Sequence, residues 1–266
     1  MGASRRAPRP RAGSLALALW LAVLAAAAFA APPAEVVNSL GMRLVLIPAG
    51  SFVMGSDPSE GGLAGERPAH QVTIAQAFYI GSCEVTQGEY AQVMGGNPSM
   101  TGPGQADASR NPVDNVDFPQ AETFCQELSR REGRTYRLPA EAEWEYACRA
   151  GTTGPYAGDD LAQLGWYDAN SGLALHPVGQ LAANPWGLFD MHGNACEWCR
   201  ERYYLYSTGE QPTLRPAVPD NRIIRGGCFM SQASDCRSAS RRWTDLCGRG
   251  RSGYGFRVVL ETGPAR

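Results

Sequence analysis

The sequence contains no lysine; all 24 of its basic residues are arginine. That excludes Schiff-base chemistry, a lysine nucleophile and a Walker-type phosphate loop, each of which depends on a lysine amine. Positive charge is not in surplus either. The 24 basic residues face 26 acidic ones for a net charge of −2, and a nucleic-acid binder would show a basic excess on one face, so no nucleic-acid partner is expected. Histidine is scarce: His70, His176 and His192 are the only three, and they fall into no HxxxH or HExxH spacing. Cys196 and Cys199 have CxxC spacing, which reads as a redox pair or half of a zinc site. The chain lacks the second CxxC that a four-thiolate cage requires. It also lacks an internal repeat and an apolar run of the ~20 residues a membrane span needs, so no stable membrane anchor is expected.

What is abundant is turn chemistry. There are 31 glycines and 19 prolines beside 44% hydrophobic residues, against a usual Gly-plus-Pro share of about 12%. This is a packed protein rich in loops, neither disordered nor fibrous. Residues 1–30 read as a signal peptide: Arg5, Arg6, Arg9 and Arg11 start it, an apolar stretch runs from Leu15 to Phe29, and Ala28 and Ala30 are small residues at a cleavage site. Export to the periplasm or outside the cell is therefore expected. Loss of those four arginines moves the −2 to −6. In an oxidising compartment the eight cysteines (Cys83, Cys125, Cys148, Cys196, Cys199, Cys228, Cys236 and Cys247) read most simply as disulfides, with no connectivity chosen by the sequence.

Local patterns predict a β-hairpin from Arg43–Ile47 and Ser51–Gly55 around Pro48-Ala49-Gly50, and a strand within Gln71–Ile80. Thr86-Gln87-Gly88-Glu89 is a capping box that opens a short helix burying Tyr90, Val93 and Met94. Residues 95–115 read as loop. Pro119 belongs in the first turn of a second helix carrying Ala121, Phe124, Cys125 and Leu128, with Gly133 past its end. Pro139 opens a third, with Trp144, Ala147 and Cys148 on one face, and Phe256–Leu260 reads as a buried strand. Together these give one α+β domain over 36–262.

Six ordered blocks carry a resemblance. They are Gly41-Met42-Arg43 through Ile47-Pro48-Ala49-Gly50-Ser51-Phe52-Val53-Met54-Gly55-Ser56; Glu84-Val85-Thr86-Gln87-Gly88-Glu89-Tyr90; and Tyr136-Arg137-Leu138-Pro139-Ala140-Glu141-Ala142-Glu143-Trp144-Glu145-Tyr146-Ala147. Trp186-Gly187-Leu188-Phe189-Asp190-Met191-His192-Gly193-Asn194, Arg225-Gly226-Gly227 and Gly255-Phe256-Arg257 complete the set. In this order they resemble the formylglycine-generating enzyme family, the sulfatase-modifying factors. The resemblance implies a single C-type-lectin-like α+β fold with little regular secondary structure.

It also implies a chemistry, and here the sequence departs from the pattern. The family's oxidases bind copper(I) through two cysteines five residues apart and oxidise a substrate cysteine to formylglycine with dioxygen. Soft thiolates select Cu(I). Counted from Gly226-Gly227, the first copper cysteine falls on Ser231 and the second on Cys236; the family's serine after Gly-Gly is Cys228, and an active-site tryptophan is Cys196. The candidate catalytic residues are thus Cys236, Ser231 and Cys228, with an incomplete copper pair. Cys125 and Cys148 each match one half of a family disulfide, but the partner positions fall on Val258 and Arg241. Arg237, Arg241 and Arg242 are candidates to pair with carboxylates such as Glu141 or Glu143. The family's structural calcium loop maps to the Asp190 side chain with the carbonyls of Met191, Gly193 and Ala195, oxygen donors suited to a hard cation. A second calcium loop starts near Asn170, and its completing segment is missing between Gly172 and His176.

Two functions follow. One is an exported oxidative-maturation enzyme acting on a protein, peptide or small metabolite; periplasmic relatives in siderophore maturation lack the cysteine pair. The other is a non-catalytic module that uses the same lectin-like scaffold to hold a peptide, glycan or partner protein; on either reading the expected partner is an exported protein, a peptide or a small molecule.

Overall fold

The computed structural model describes residue 2 and residues 34–100, 108–206, 213–214, 222–243 and 252–263. Apart from residue 2, the leader assigned to 1–30 lies outside these residues, as does Cys247. In the unit Pro32–Arg266, the chain runs β1 (Glu35–Val37), β2 (Arg43–Ile47), β3 (Gly50–Met54), β4 (His70–Ile74), β5 (Phe78–Gly81), α1 (Gln87–Met94), α2 (Phe118–Glu132), β6 (Tyr136–Arg137) and α3 (Glu141–Arg149). It continues through β7 (Cys196–Arg202), β8 (Tyr204–Leu205), β9 (Thr213–Leu214), β10 (Arg222–Arg225), β11 (Arg241–Arg242), β12 (Tyr254–Gly255) and β13 (Val259–Glu261). Between α3 and β7 lie 46 residues with only a single short 3₁₀ turn, Leu161–Gln163. No helix of the described residues is long and apolar enough to cross a membrane.

A five-stranded sheet in the order β1-β2-β5-β13-β6 is the centre of the molecule. Its inner strands β2, β5 and β13 are buried on both faces, which explains why they read as nearly unbroken apolar runs, whereas the edge strand β1 is largely exposed. Leu44, Tyr79 and Leu260 point into one apolar cluster with α1 and α2. Val45, Ile47, Phe78, Ile80 and Val259 point into the other, with Trp144, Ala147 and Cys148 of α3. This is the two-residue alternation of a strand applied to two cores. In the first core Phe124 stacks on Tyr90 at 5.6 Å and meets Phe256 edge-on at 5.2 Å.

The expected hairpin is not formed. β2 pairs with β1 and β5, whereas β3 leaves that sheet and pairs with β4, Gly50 opposite Ile74 through Met54 opposite His70. Pro48 has no N–H to continue the ladder, so the chain turns a corner between sheets there. The expected strand in 71–80 is likewise two strands, β4 and β5, broken at Ala75–Ala77 and belonging to different sheets. The helices form as expected. Glu89 N–H donates to Thr86 Oγ1 at 3.2 Å and Thr86 N–H to Glu89 Oε2 at 2.8 Å. Gly133 closes α2 in the left-handed region at φ 63°, and Ala150 closes α3 at φ 45°.

A second sheet, β11-β10-β7-β12, carries the glycine-rich segment after β10. It is fastened to α3 by buried ion pairs. Glu141 and Glu145, one helical turn apart, face inward: Glu141 takes a two-pronged bond from Arg241 at 2.7 Å on each arm, and Glu145 accepts from Arg149 at 2.9 Å and from Arg225. Of the pairings anticipated for the arginines, Arg241 with Glu141 is present. Arg237 instead holds Glu66, Arg242 holds Asp235, and Glu143 takes Arg137.

The expectation of a disulfide framework needs correcting. Cys83, Cys125, Cys148, Cys196, Cys199 and Cys236 are not bridged, and no disulfide joins two described cysteines. Cys228 is disulfide-bonded, to a partner outside the described residues. The unbridged thiols are spread over both cores, Cys125 and Cys196 in one and Cys148 and Cys199 in the other, where they pack as small apolar side chains. The CxxC reading falls for the same reason. Positions three apart on a strand face opposite ways, and Cys196 and Cys199 enter different cores.

Candidate functional site

The segment from Gly226 to Arg237 is shaped by its two glycines. Gly226 and Gly227 both sit at positive φ, 89° and 72°. A Cβ on Gly227 would lie 2.6 Å from Cys236 Sγ, so only glycine lets the chain pass this close to the thiol. The next four residues form a tight turn in which Ser231 N–H donates to the Cys228 carbonyl at 2.8 Å and Cys228 N–H donates to Ser231 Oγ at 2.9 Å. Ser231 Oγ donates in turn toward Cys228 Sγ at 3.5 Å. Ser231 is 3% exposed. Its hydroxyl is engaged on both sides by Cys228, whose sulfur is in a disulfide.

Cys236 ends the 3₁₀ turn Ala233–Cys236 and is fully buried. Burial, with Asp235 and Asp168 adding repulsion, pushes its thiol above the usual range. Cys196 is pushed well up by burial, with Cys236 and Asp235 adding repulsion. The three sequence-predicted residues therefore share one loop, but Ser231 closes onto Cys228 and no exposed nucleophile results. Copper(I) does not fit this donor set. The position of the first thiolate holds a hard hydroxyl already engaged with Cys228, and the neighbouring cysteine is oxidised.

Beneath the loop lies a cluster that no spacing in the sequence announces. Cys148 Sγ stands 3.7 Å from His192 Nε2 and 3.6 Å from Ser238 Oγ. The partners come from positions 44 and 90 residues away along the chain. Its chemistry is inert. His192 Nδ1–H donates to the Cys236 carbonyl at 2.8 Å and Nε2 accepts from Ala157 N–H at 3.1 Å, which fixes a neutral ring. Burial pushes the His192 pKa down to about 4 and the Cys148 thiol up to about 12. A thiol raised that far beside a ring with no lone pair to spare is not an activated nucleophile.

The second candidate site is the loop from Asp190 to Ala195. Asp190, Gly193 and Asn194 all take positive φ, at 56°, 132° and 59°, so the backbone curls repeatedly within five residues. A Cβ on Gly193 would lie 2.2 Å from the Trp166 carbonyl. Asn194 pins the loop by donating its N–H to Trp166 O at 2.7 Å and accepting His176 N–H at 3.0 Å through Oδ1. Asp190 Oδ2 accepts the Gly179 N–H at 2.7 Å, whereas Oδ1 is buried without a partner. Burial raises the Asp190 pKa to about 6, against the lowering effects of Gly179 and Arg257. A buried, unsatisfied carboxylate oxygen on a tightly curled loop is a hard donor awaiting a positive charge, and these residues fit a calcium ion. Asn170, by contrast, spends its side chain within the protein, accepting from Tyr167 N–H at 2.8 Å and donating to Gly165 O at 3.0 Å.

Residues 29–262 match the family described as "Sulfatase-modifying factor enzyme 1-like domain". The chain is 28% identical over 250 residues to the serine/threonine-protein kinase pkn1 of Chlamydia caviae, covering 82% of itself but only 38% of that kinase. It is 29% identical over 244 residues to the chaperone protein LppX of Paenibacillus barcinonensis, with 71% of this chain and 81% of that protein covered. It is 26% identical over 291 residues to the formylglycine-generating enzyme of Bos taurus, at 82% and 75% coverage. Among solved structures, Treponema denticola variable protein 1 superposes with a TM-score of 0.73 at 27% identity, covering 86% of this chain and all of that one. PvdO from Pseudomonas aeruginosa gives 0.73 at 29% identity, with 87% of this chain and all of that one covered.

Proposed function

The chain belongs to the sulfatase-modifying-factor family, and from that membership we propose that it is an exported member whose copper-oxidase site is closed and which acts as a binding module. Its ligand is a peptide, a small molecule or an exported protein held on the lectin-like scaffold. The observation that carries this reading is Ser231. It occupies the place of the first copper thiolate, is buried, and gives its hydroxyl to Cys228 on both the donor and the acceptor side. Calcium serves the module as a structural ion, held by the Asp190 carboxylate and the carbonyls of Met191, Gly193 and Ala195. It supplies positive charge that fixes the curled loop and takes no part in bond-making.

A second reading, oxidative maturation by other chemistry, draws support from Cys236, which stays an unbridged thiol packed against Gly227. The deciding experiment is oxygen consumption by the full chain with copper(I) and a cysteine-containing peptide, run beside Ser231→Cys. The binding-module reading expects no thiol-dependent uptake by the unaltered chain. Steady uptake with formylglycine in the peptide would refute it, and uptake without formylglycine would favour the second reading.

A further inference from the structure

We propose that a cavity between β3 and α3 binds a small organic molecule carrying a primary ammonium group, recognised jointly by three aromatic rings and two carboxylates. The cavity measures 560 Å³ and is lined by Phe52, Tyr146 and Trp186 together with Asp57 and Glu60. That size falls in the range of about 300–1,000 Å³ typical of small-molecule sites, which pair apolar and aromatic walls with a few polar groups. The cavity shares no residue with the 226–237 segment or the 190–195 loop, so the proposal stands whether or not the chain is an oxidase.

The aromatic walls are held in place before any ligand arrives. Phe52 lies on the inward side of β3, between the exposed Ser51 and Val53. The Tyr146 ring lies 5.2 Å from that of Phe52 at 42° and 4.8 Å from that of Trp186 at 75°, so the three rings meet at angles and form corners instead of a parallel stack. A Cβ on Gly50 would lie 2.3 Å from the Tyr146 hydroxyl, so glycine at that position leaves room for the phenol. Trp186 N–H donates to Asn184 Oδ1 at 3.0 Å. The Asn184 amide donates in turn to the carbonyls of Ala147 at 2.7 Å and Cys148 at 3.1 Å, which fastens the Trp186 turn to α3. Phe52 and Trp186 pack against the α3 core and are only half-buried.

Charge selects the ligand. Asp57 Oδ1 accepts the Ser59 N–H at 2.9 Å and the Ser59 hydroxyl at 2.7 Å, and these bonds hold its carboxyl below the usual range. Glu60 Oε1 accepts the Asp57 N–H at 3.3 Å, whereas its Oε2 is buried without a partner. The nearby guanidinium groups are spent elsewhere. Arg67, whose charge reaches Asp57, donates to the carbonyls of Pro58 at 3.4 Å and Gly62 at 3.1 Å. Arg149 also lines the cavity, but its three nitrogens go to Glu145 at 2.9 Å, Gly154 O at 3.2 Å and Gly55 O at 2.8 Å. An anion would meet two carboxylates, and a neutral ligand would leave them unanswered. A cation is drawn to aromatic faces within about 6 Å of a ring centroid, and an ammonium N–H bonds a carboxylate more strongly than a neutral donor does. A primary ammonium supplies both the charge and the N–H that the orphaned Glu60 oxygen lacks, while its alkyl stem packs along the rings.

The test is NMR titration of the full chain with n-butylammonium chloride and with n-butanol, which has the same stem and no charge. It is run on the unaltered protein, on Asp57→Asn/Glu60→Gln and on Trp186→Leu, with thermal unfolding as the check on folding. The double variant keeps the acceptor atoms of the turn and removes only the charge. Butylammonium is expected to saturate, to bind about tenfold more tightly than butanol, and to lose about tenfold in affinity in the double variant. Trp186→Leu is expected to weaken it as well. Three results overturn the proposal: no saturable binding of butylammonium, equal binding of butanol, or butylammonium binding unchanged in the folded double variant. Binding of a neutral sugar, methyl glucoside, that Trp186→Leu abolishes while butylammonium fails to bind, also overturns it and assigns the cavity to another class of ligand.

Discussion

Truncation of Glu66 to alanine is expected to destabilise the domain severely and to unseat the turn that carries Cys236. Glu66 ends the short turn Ala64–Glu66, is fully buried, and accepts two parallel bonds of 2.9 Å from Arg237. Arg237 is 6% exposed and its Nε donates to Ser234 O at 3.0 Å, so the pair bolts the 233–236 turn to a loop 171 residues away. An exposed ion pair would contribute at most about 1 kcal/mol. Breaking a buried one strands a charge, which costs about 3–5 kcal/mol. In a domain of this size each kcal/mol moves the midpoint by about 2–4 °C, so Tm should fall by roughly 6–20 °C. Calorimetry reads that loss, and iodoacetamide labelling of Cys236 in the native state reads the loosened turn. The double variant Glu66→Leu/Arg237→Met, which removes both charges and keeps apolar bulk, should recover at least half the loss. A loss below about 1 kcal/mol in Glu66→Ala, with Cys236 still protected, would refute the argument.

His192, held down at about 4 by burial, gives the domain an acid sensitivity of known sign. The unfolded chain takes up its proton near pH 6.5 while the native ring does not, so stability contributed by this residue falls as pH drops from about 6.5 to 4, by about 1.4 kcal/mol per unit. The Tm difference between the parent and His192→Gln, followed over that range, should shrink toward acid; a flat difference contradicts the assignment. Thr86→Ala removes the acceptor for Glu89 N–H at the start of α1 and should cost about 1 kcal/mol in urea unfolding. Gly165→Ala would place a methyl 1.8 Å from the His192 carbonyl. It is expected to lose more than the roughly 1–3 kcal/mol typical of overpacking, seen as a collapse of the urea midpoint.

The helices and the blocks that carry the family resemblance were legible because their signals are local. A capping box at Thr86, Pro119 in a first turn and Gly133 past a last one each act within four residues. Sheet membership was not legible. Arg43–Ile47 and Gly50–Met54 look like two arms of a hairpin, and nothing near them shows that the second belongs with His70–Ile74. The cysteines misled for a related reason. Eight of them in a chain whose leader predicts export suggest bridges, but whether two thiols meet depends on which strand face each occupies, and Cys196 and Cys199 face apart. At the candidate copper site the substitution at Ser231 could be read off by counting from Gly226-Gly227, whereas its closure onto Cys228 is a matter of three-dimensional distance. Cys148, His192 and Ser238 meet only because α3, the 190–195 loop and the segment after Cys236 fold over one another.

Copper(I) competition against a chelator, with thiol counting by mass spectrometry on the natively folded full chain, tests the closed copper site most directly. The account predicts no tight copper(I) uptake and no change in the protection of Cys236 or Cys196 when copper is added. One tightly held copper(I) per chain, with Cys236 and Cys196 both protected by it, would contradict the account and reopen the site as an oxidase.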